Sequence, residues 1–286
     1  MRHLISVTAI FLSALLLISG CRRKEPVSPP SAGEREPTQP SASTTEPTQE
    51  KIDNAAIVRK AVASQLKKKP DELTPDDYKQ ITELDLSFQP LSDLTPVKPL
   101  INMRKLNLAN TAVSDLTPLK ELKGLQTLRL EGTDVSDLTP LKELKGLQSL
   151  VLMDTSVSDL TPLKELKGLQ QLYLTNTKVS DLTPLKELNK LQVLWLGNTK
   201  VSDLTPLKEL KNLQVLSLAC TAVSDLTPIK DLTILQSLDL YDTKVSDLTL
   251  IKELKGLKKL YLSGTKVSDK QVAKLKKALP EIEILR

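Results

Sequence analysis

Histidine is nearly missing from this chain, and that absence removes more chemistry than any other single feature. The one histidine, His3, falls in the first few residues, so nowhere beyond them can an imidazole activate a nucleophile or ligate a metal. Cysteine is confined to Cys21 and Cys220, which rules out paired-cysteine metal sites and a disulfide-built scaffold. The 9 glycines stand singly, with no phosphate-cradling loop and no nucleophile elbow among them. A formal charge of +5 on 286 residues is too small for a nucleic-acid groove. Aromatic residues make up 2% of the chain, a scarcity that makes their placement informative. Paired carboxylates could still hydrolyse sugars, but Asp and Glu are mostly bound into a repeated frame. The expectation is therefore a protein that is not an enzyme, with no catalytic residue, no cofactor and no metal.

What is present is a repeat. From Leu84 a 22-residue phrase recurs nine times without insertion or deletion, led by Leu84, Leu106, Leu128, Leu150, Leu172, Leu194, Leu216, Leu238 and Leu260, and Ile282 would open a tenth, truncated turn. A fixed period of this size marks a solenoid. Within a turn the L-x-L pair alternates like a strand half buried against a core. A threonine follows, then a valine, then Ser-Asp-Leu-Thr-Pro-Leu, in which Thr-Pro reads as the N-cap and first position of a short helical turn. In the turn from Leu128 the inward side chains are expected to be Leu128, Leu130, Val135, Leu138, Leu141, Leu144 and Leu147. One coil cannot bury enough surface to offset its own ordering, so stability must come from stacking on its neighbours.

The pattern L-x-x-L-x-L-x-x-T-x-V, as at Leu125 to Val135, resembles the leucine-rich repeat, in the 22-residue bacterial class shared with the internalins. The resemblance runs from Leu84 to Arg286. It implies an α/β fold, a curved solenoid with a parallel sheet on the concave face and short helical turns on the convex face. One departure is systematic: the ladder position that most often carries asparagine in that family is threonine here, at Thr111, Thr133, Thr155, Thr177, Thr199, Thr221, Thr243 and Thr265. A threonine hydroxyl can still bond a backbone group in the tight turn.

Both ends read as lids. Residues 52–83 form the expected helical N-terminal cap, with Ile57, Val58, Ala61, Val62 and Leu66 at helical spacing before Pro70, and Thr74-Pro75-Asp76-Asp77 opening a second helix. Residues 84–268 are the repeats. Residues 269–286 replace the Thr-Pro turn with a longer basic helix, stopped by Pro280, and a closing strand at Ile282 and Ile284.

The start of the chain reads as an address. Residues 1–20 hold a basic residue, Arg2, and an apolar run from Leu4 to Ile18, too short to span a bilayer and suited to a signal-peptide core. Leu17-Ile18-Ser19-Gly20-Cys21 resembles the bacterial lipobox, which implies that Cys21 becomes a lipidated mature N-terminus anchored in the membrane. Arg22 rather than aspartate follows, compatible with an outer-membrane or cell-surface location over the inner membrane. Residues 21–51 hold that cysteine and a Pro/Ser/Thr-rich stretch that cannot form a core, a tether reaching about 30 Å as a coil and ~90 Å extended. With Cys21 lipidated, Cys220 is left without a cysteine to pair with inside the chain.

Two charged columns run through the repeats. Asp93, Asp115, Asp137, Asp159, Asp181, Asp203, Asp225, Asp247 and Asp269 recur in register; a cation ladder is conceivable, but capping of backbone N–H groups within each turn is the simpler expectation. Lys120 and its equivalents, each followed by an acid, read as a solvated outer face.

Positions that vary between turns are where individual function must be written. The strand face opposite the leucines holds the one tryptophan and three of the 4 tyrosines. Side chains there should point into the concavity, and the candidate contact residues are Arg129, Val151, Met153, Tyr173, Val193, Trp195, Val215, Asp239, Tyr241 and Tyr261. Val151, Met153, Tyr173, Val193, Trp195 and Val215 are expected to form an exposed apolar patch. Lys105, Arg129 and Glu131 on one side and Asp239, Asp242 and Lys259 on the other would form a charged rim. The expected function is a cell-envelope lipoprotein that binds a macromolecule, a protein first. Glycan or peptidoglycan binding through the concave aromatics, or a structural spacer without a ligand, are the alternatives.

Overall fold

The structure is a computed structural model that describes residues 52–286; the expected signal peptide, the expected lipidation at Cys21 and the expected tether fall outside the described residues. Helix α1 (Asn54–Leu66) opens under an Asp53 cap whose carboxylate accepts from Ala56 N–H at 2.9 Å, and it buries Val58, Val62 and Ala63. Lys67 ends it in the left-handed conformation. Helix α2 (Pro75–Gln80) begins where the Asp77 carboxylate accepts from the Thr74 N–H at 2.9 Å and from the Thr74 hydroxyl at 3.0 Å, satisfying an otherwise orphaned donor. Asp77 is buried and accepts from Lys68 Nζ at 2.7 Å.

Ten three-residue strands follow, β1 (Glu83–Asp85), β2 (Lys105–Asn107), β3 (Thr127–Arg129), β4 (Ser149–Val151), β5 (Gln171–Tyr173), β6 (Val193–Trp195), β7 (Val215–Ser217), β8 (Ser237–Asp239), β9 (Lys259–Tyr261) and β10 (Glu283–Leu285). They form one parallel sheet in sequence order, and from β1 to β9 each pairs with the next in a strict 22-residue register. A 3₁₀ turn stands between successive strands, at Thr139–Leu141 in the third coil. Helix α3 (Asp269–Ala278), capped by Ser268, takes that place before β10.

The inward leucines do what the repeat requires. All six leucines and the one valine predicted to face inward in the turn from Leu128 are 0–1% exposed, and they belong to one continuous apolar core running from Val58 to Ile282. Because that core and both lids lie within residues 52–286, this unit carries the burial needed to fold by itself.

The threonine ladder works as the chemistry allows. Each hydroxyl from Thr111 to Thr265 donates to the carbonyl of the leucine three residues earlier, at 2.6–2.8 Å. The substitution of threonine for asparagine thus leaves a buried carbonyl satisfied in every turn.

Three expectations are corrected. The Thr-Pro threonine does not cap its turn; Leu138 and its equivalents occupy that position with no side-chain bond. The capping acceptor is the aspartate two residues before the threonine: Asp93, Asp115, Asp137, Asp159, Asp181, Asp203, Asp225 and Asp247 each accept from that threonine's N–H at 2.8 Å. Asp269 instead starts α3 and pairs with Arg286. Second, Ile284, not Ile282, aligns with Leu260, because the α-helix consumes two more residues than a 3₁₀ turn. Third, Cys220 is not left without a partner.

The capping carboxylates make stability depend on acid. Asp115, Asp159, Asp181, Asp203, Asp225 and Asp247 are held below the ordinary carboxylate range by the threonine hydroxyl two residues on and by its N–H. Asp77 is lowered to about 2, chiefly by the Lys68 hydrogen bond. A carboxylate that is more acidic folded than unfolded contributes stability above its unfolded value, about 3.9, and loses it as pH falls through the folded value. The melting temperature is therefore expected to be flat down to about pH 5 and to fall between about pH 4 and 2. A melting series that stays level down to pH 2 would contradict these bonds.

Candidate functional site

The open face of the sheet is built by the residues that alternate with the leucines. The column between the strand leucines runs Asp85, Asn107, Arg129, Val151, Tyr173, Trp195, Ser217, Asp239 and Tyr261, aligned strand to strand by the pairing register. A second column carries Val193 beside Val215. A third, just past the strands, carries Glu131, Met153 and Tyr241.

The expectation of an exposed apolar patch is corrected in part. Val151, Tyr173, Val193 and Val215 are buried, at 5–9% exposure, although they lie outside the main core. Tyr173 meets Trp195 edge to face with ring centroids 5.0 Å apart, and in a parallel sheet with strands about 4.8 Å apart each such side chain is flanked closely by the next. Met153, Trp195, Asp239, Tyr241 and Tyr261 are half-buried, and Arg129 is exposed. What faces outward is thus a row of half-buried side chains set beside nearly covered ones.

Polar groups at the two ends of this row are held by short contacts. Arg129 donates through Nε to Glu131 Oε1 at 2.9 Å. Glu131 Oε2 is buried with no hydrogen-bond partner, a costly state for a carboxylate oxygen; sequence reading had placed Glu131 only in the rim, and nothing in the repeat marks this isolation. Burial pushes the Tyr173 hydroxyl up to about 12, against the pull of the Arg129 charge. At the other end Asp239 accepts from Ser217 Oγ at 2.9 Å and Tyr241 N–H at 3.0 Å. Burial nevertheless raises its carboxyl, and it also raises the nearby Tyr261 hydroxyl. The outermost rim residues are paired across strands: Lys105 with Glu83 at 2.7 Å and Lys259 with Glu283 at 3.7 Å. Among the described residues no cluster of histidine, cysteine or acidic side chains is arranged to hold a metal ion.

Sequence reading missed one structural column. Phe88, Asn110, Gly132, Asp154, Asn176, Asn198, Cys220, Asp242 and Gly264 all have positive φ, between 48° and 76°. Asn, Asp and Gly recurring at the repeat spacing were the available signal, since these residues tolerate the left-handed region best. The position lets an additional N–H reach the next turn, as Asn176 does to Gly197 O at 2.9 Å. It also lines up an amide ladder in which Asn198 donates to Asn176 and Asn176 to Asp154, each at 2.7 Å.

A stack of in-register coils, each a short parallel strand and a 3₁₀ turn joined over a leucine core, defines a leucine-rich repeat solenoid, and this chain is an internalin-like leucine-rich repeat protein in fold. The model of leucine-rich repeats in two copies matches residues 145–187 and 189–231. An internalin (inlF) from Listeria monocytogenes superimposes with a TM-score of 0.69 at 25% identity, covering 81% of this chain and 74% of the internalin. Internalin C2 (inlC2) of the same organism gives 0.66 at 29% identity, with 74% and 92% covered. The ectodomain of the Arabidopsis thaliana receptor kinase GASSHO1/SCHENGEN3, solved in complex with Casparian strip integrity factor 2, gives 0.63 at 21% identity, with 75% and 28% covered; it shares the fold alone. No curated protein matches the chain in sequence.

Proposed function

We propose that this protein is a lipid-anchored component of a bacterial envelope whose open sheet face binds a protein partner. One observation carries the reading: in a chain with 2% aromatics, Trp195, Tyr173, Tyr241 and Tyr261 gather on the one face that varies from turn to turn. Aromatic anchors in well-packed surroundings dominate binding energy at protein interfaces. Edge-to-face contact with the nearly covered Tyr173 of the neighbouring strand holds that anchor in place, which lowers the ordering cost of binding. Solenoids of this kind typically serve as binding scaffolds, and the plant receptor of the same fold was solved with a bound partner. The lipobox-like Leu17 to Cys21 and the following stretch supply the anchor and tether.

The test is chemical cross-linking on native cells, followed by purification from the membrane. The expected result is a mature chain beginning at a Cys21 that carries acyl chains, and a cross-linked protein that is reduced at least tenfold with Trp195→Ala, corresponding to about 1.4 kcal/mol or more. Equal capture by wild type and variant, with matched melting curves, would end the sheet-face reading. A mature chain whose Cys21 sulfur is tied up in a disulfide would end the anchor reading, because a thioether needs that sulfur.

A further inference from the structure

The two flanks of the solenoid carry opposite charge. Each coil has an entry segment, from the 3₁₀ turn to the next strand, and an exit segment, from the strand to the 3₁₀ turn. Because the sheet lies on one side and the 3₁₀ turns on the other, these segments line opposite flanks. Five consecutive entry segments, residues 120–126, 142–148, 164–170, 186–192 and 208–214, hold ten lysines against five glutamates. The five matching exit segments, 110–115, 132–137, 154–159, 176–181 and 198–203, hold seven aspartates against two lysines. All of these charged side chains are exposed.

The acids do not neutralise the basic flank group by group. Lys167 pairs with Glu187 of the next turn at 2.8 Å, and Lys186 and Lys164 also act on that carboxylate, so one acid serves several lysines. Five of the aspartates on the other flank, Asp115, Asp137, Asp159, Asp181 and Asp203, each accept from a threonine N–H in their own turn, and Asp154 accepts from Asn176, which holds them on that flank. Turn-to-turn stacking at about 4.8 Å places the lysines in a row some 20 Å long, a geometry that meets a plane of negative charge along its whole length.

We propose that this lysine flank docks edge-on against an anionic phospholipid surface. Headgroup phosphates would meet Lys123, Lys145, Lys167, Lys190 and Lys211, while the aspartate flank is repelled and faces away. Docked this way, the solenoid holds its open sheet face at right angles to the membrane, accessible from the side. The contact is separate from the sheet face, so the two readings fail independently. Each lysine near such a surface adds a modest, salt-sensitive attraction, and five in a row are needed for a stable contact.

The test uses residues 52–286, which lack the proposed anchor and tether, in co-sedimentation with vesicles of about 30 mol % phosphatidylglycerol in phosphatidylcholine. Binding is expected to these vesicles and not to phosphatidylcholine alone, and it should be released by 0.5 M NaCl, where screening shortens to about 4 Å. Substituting the five flank lysines by glutamine should weaken binding at least tenfold. Substituting Lys178, Lys200, Lys244 and Lys266 of the exit flank should leave most of it, and Trp195→Ala should leave all of it. Failure of the wild-type unit to bind anionic vesicles would overturn the proposal. Equal losses from the two sets of lysine substitutions would do the same, since net charge alone would then explain binding.

Discussion

Leu172→Ala is expected to lower stability by about 2–5 kcal/mol, roughly a third of what one domain of ordinary stability possesses. Leu172 sits at the centre of β5 with no exposed surface, and its register partners Leu150 and Leu194 are equally covered. Removing three carbons there leaves a cavity between two turns that cannot close, because each is held by backbone bonds on both sides. In a stack whose stability lies in nearest-neighbour interfaces, the damage is felt by the turns before and after as well. Urea unfolding should therefore shift to lower midpoint and broaden as the two halves begin to unfold separately. Ile284→Ala, in the half-buried last strand, should cost much less and leave one transition. A loss under about 1 kcal/mol at Leu172 would mean the core is not continuous through the central turns.

The second large effect is expected at Gly256, whose repeat position looks unremarkable in sequence. Gly124, Gly146 and Gly168 share that position, but so do Lys190, Asn212 and Ile234, so the frame itself does not require glycine there. The last turns differ. Leu250 stands where earlier turns have proline, and the 3₁₀ turn moves to Ile251–Glu253, which brings the Gly256 N–H onto Thr233 O at 2.9 Å. A Cβ at Gly256 would lie 2.6 Å from that backbone oxygen, whereas one at Gly146 meets nothing nearer than 3.4 Å. Gly256→Ala should cost about 1–3 kcal/mol through forced backbone displacement. Gly146→Ala should be neutral or stabilising by about 0.4–1 kcal/mol, since the unfolded chain loses freedom. Thermal melts of the two variants side by side would decide, and equal effects would refute the close approach at Gly256.

Much of the architecture was legible because a solenoid writes its tertiary contacts into its period. The spacing of Leu128, Leu150 and Leu172 is the strand register itself, and a threonine three residues past the second strand leucine of each turn announced a hydroxyl bond that all eight make. Where the period breaks, reading failed. Ile282 lost its place to Ile284 because a helix and a 3₁₀ turn use different numbers of residues for the same path. From Asp93 to Asp247 the aspartates cap backbone N–H groups as expected, but the threonine does not, because the 3₁₀ turn starts one residue earlier than a helical reading implies. On the candidate site, sequence could name Trp195 and Tyr173 as face residues but not their depth; the first is half-buried and the second almost fully covered.

Taken alone, the chain determines which side chains turn inward, how turns stack and where the lids sit, because those follow from local alternation repeated at constant length. Only the tertiary structure decided how deeply the valines and Tyr173 sink, that Glu131 keeps an oxygen without a donor, and that lysines and aspartates separate onto opposite flanks. These properties arise between residues 22 apart in sequence and about 5 Å apart in space, where the size and charge of a neighbour, not the pattern it belongs to, set the outcome.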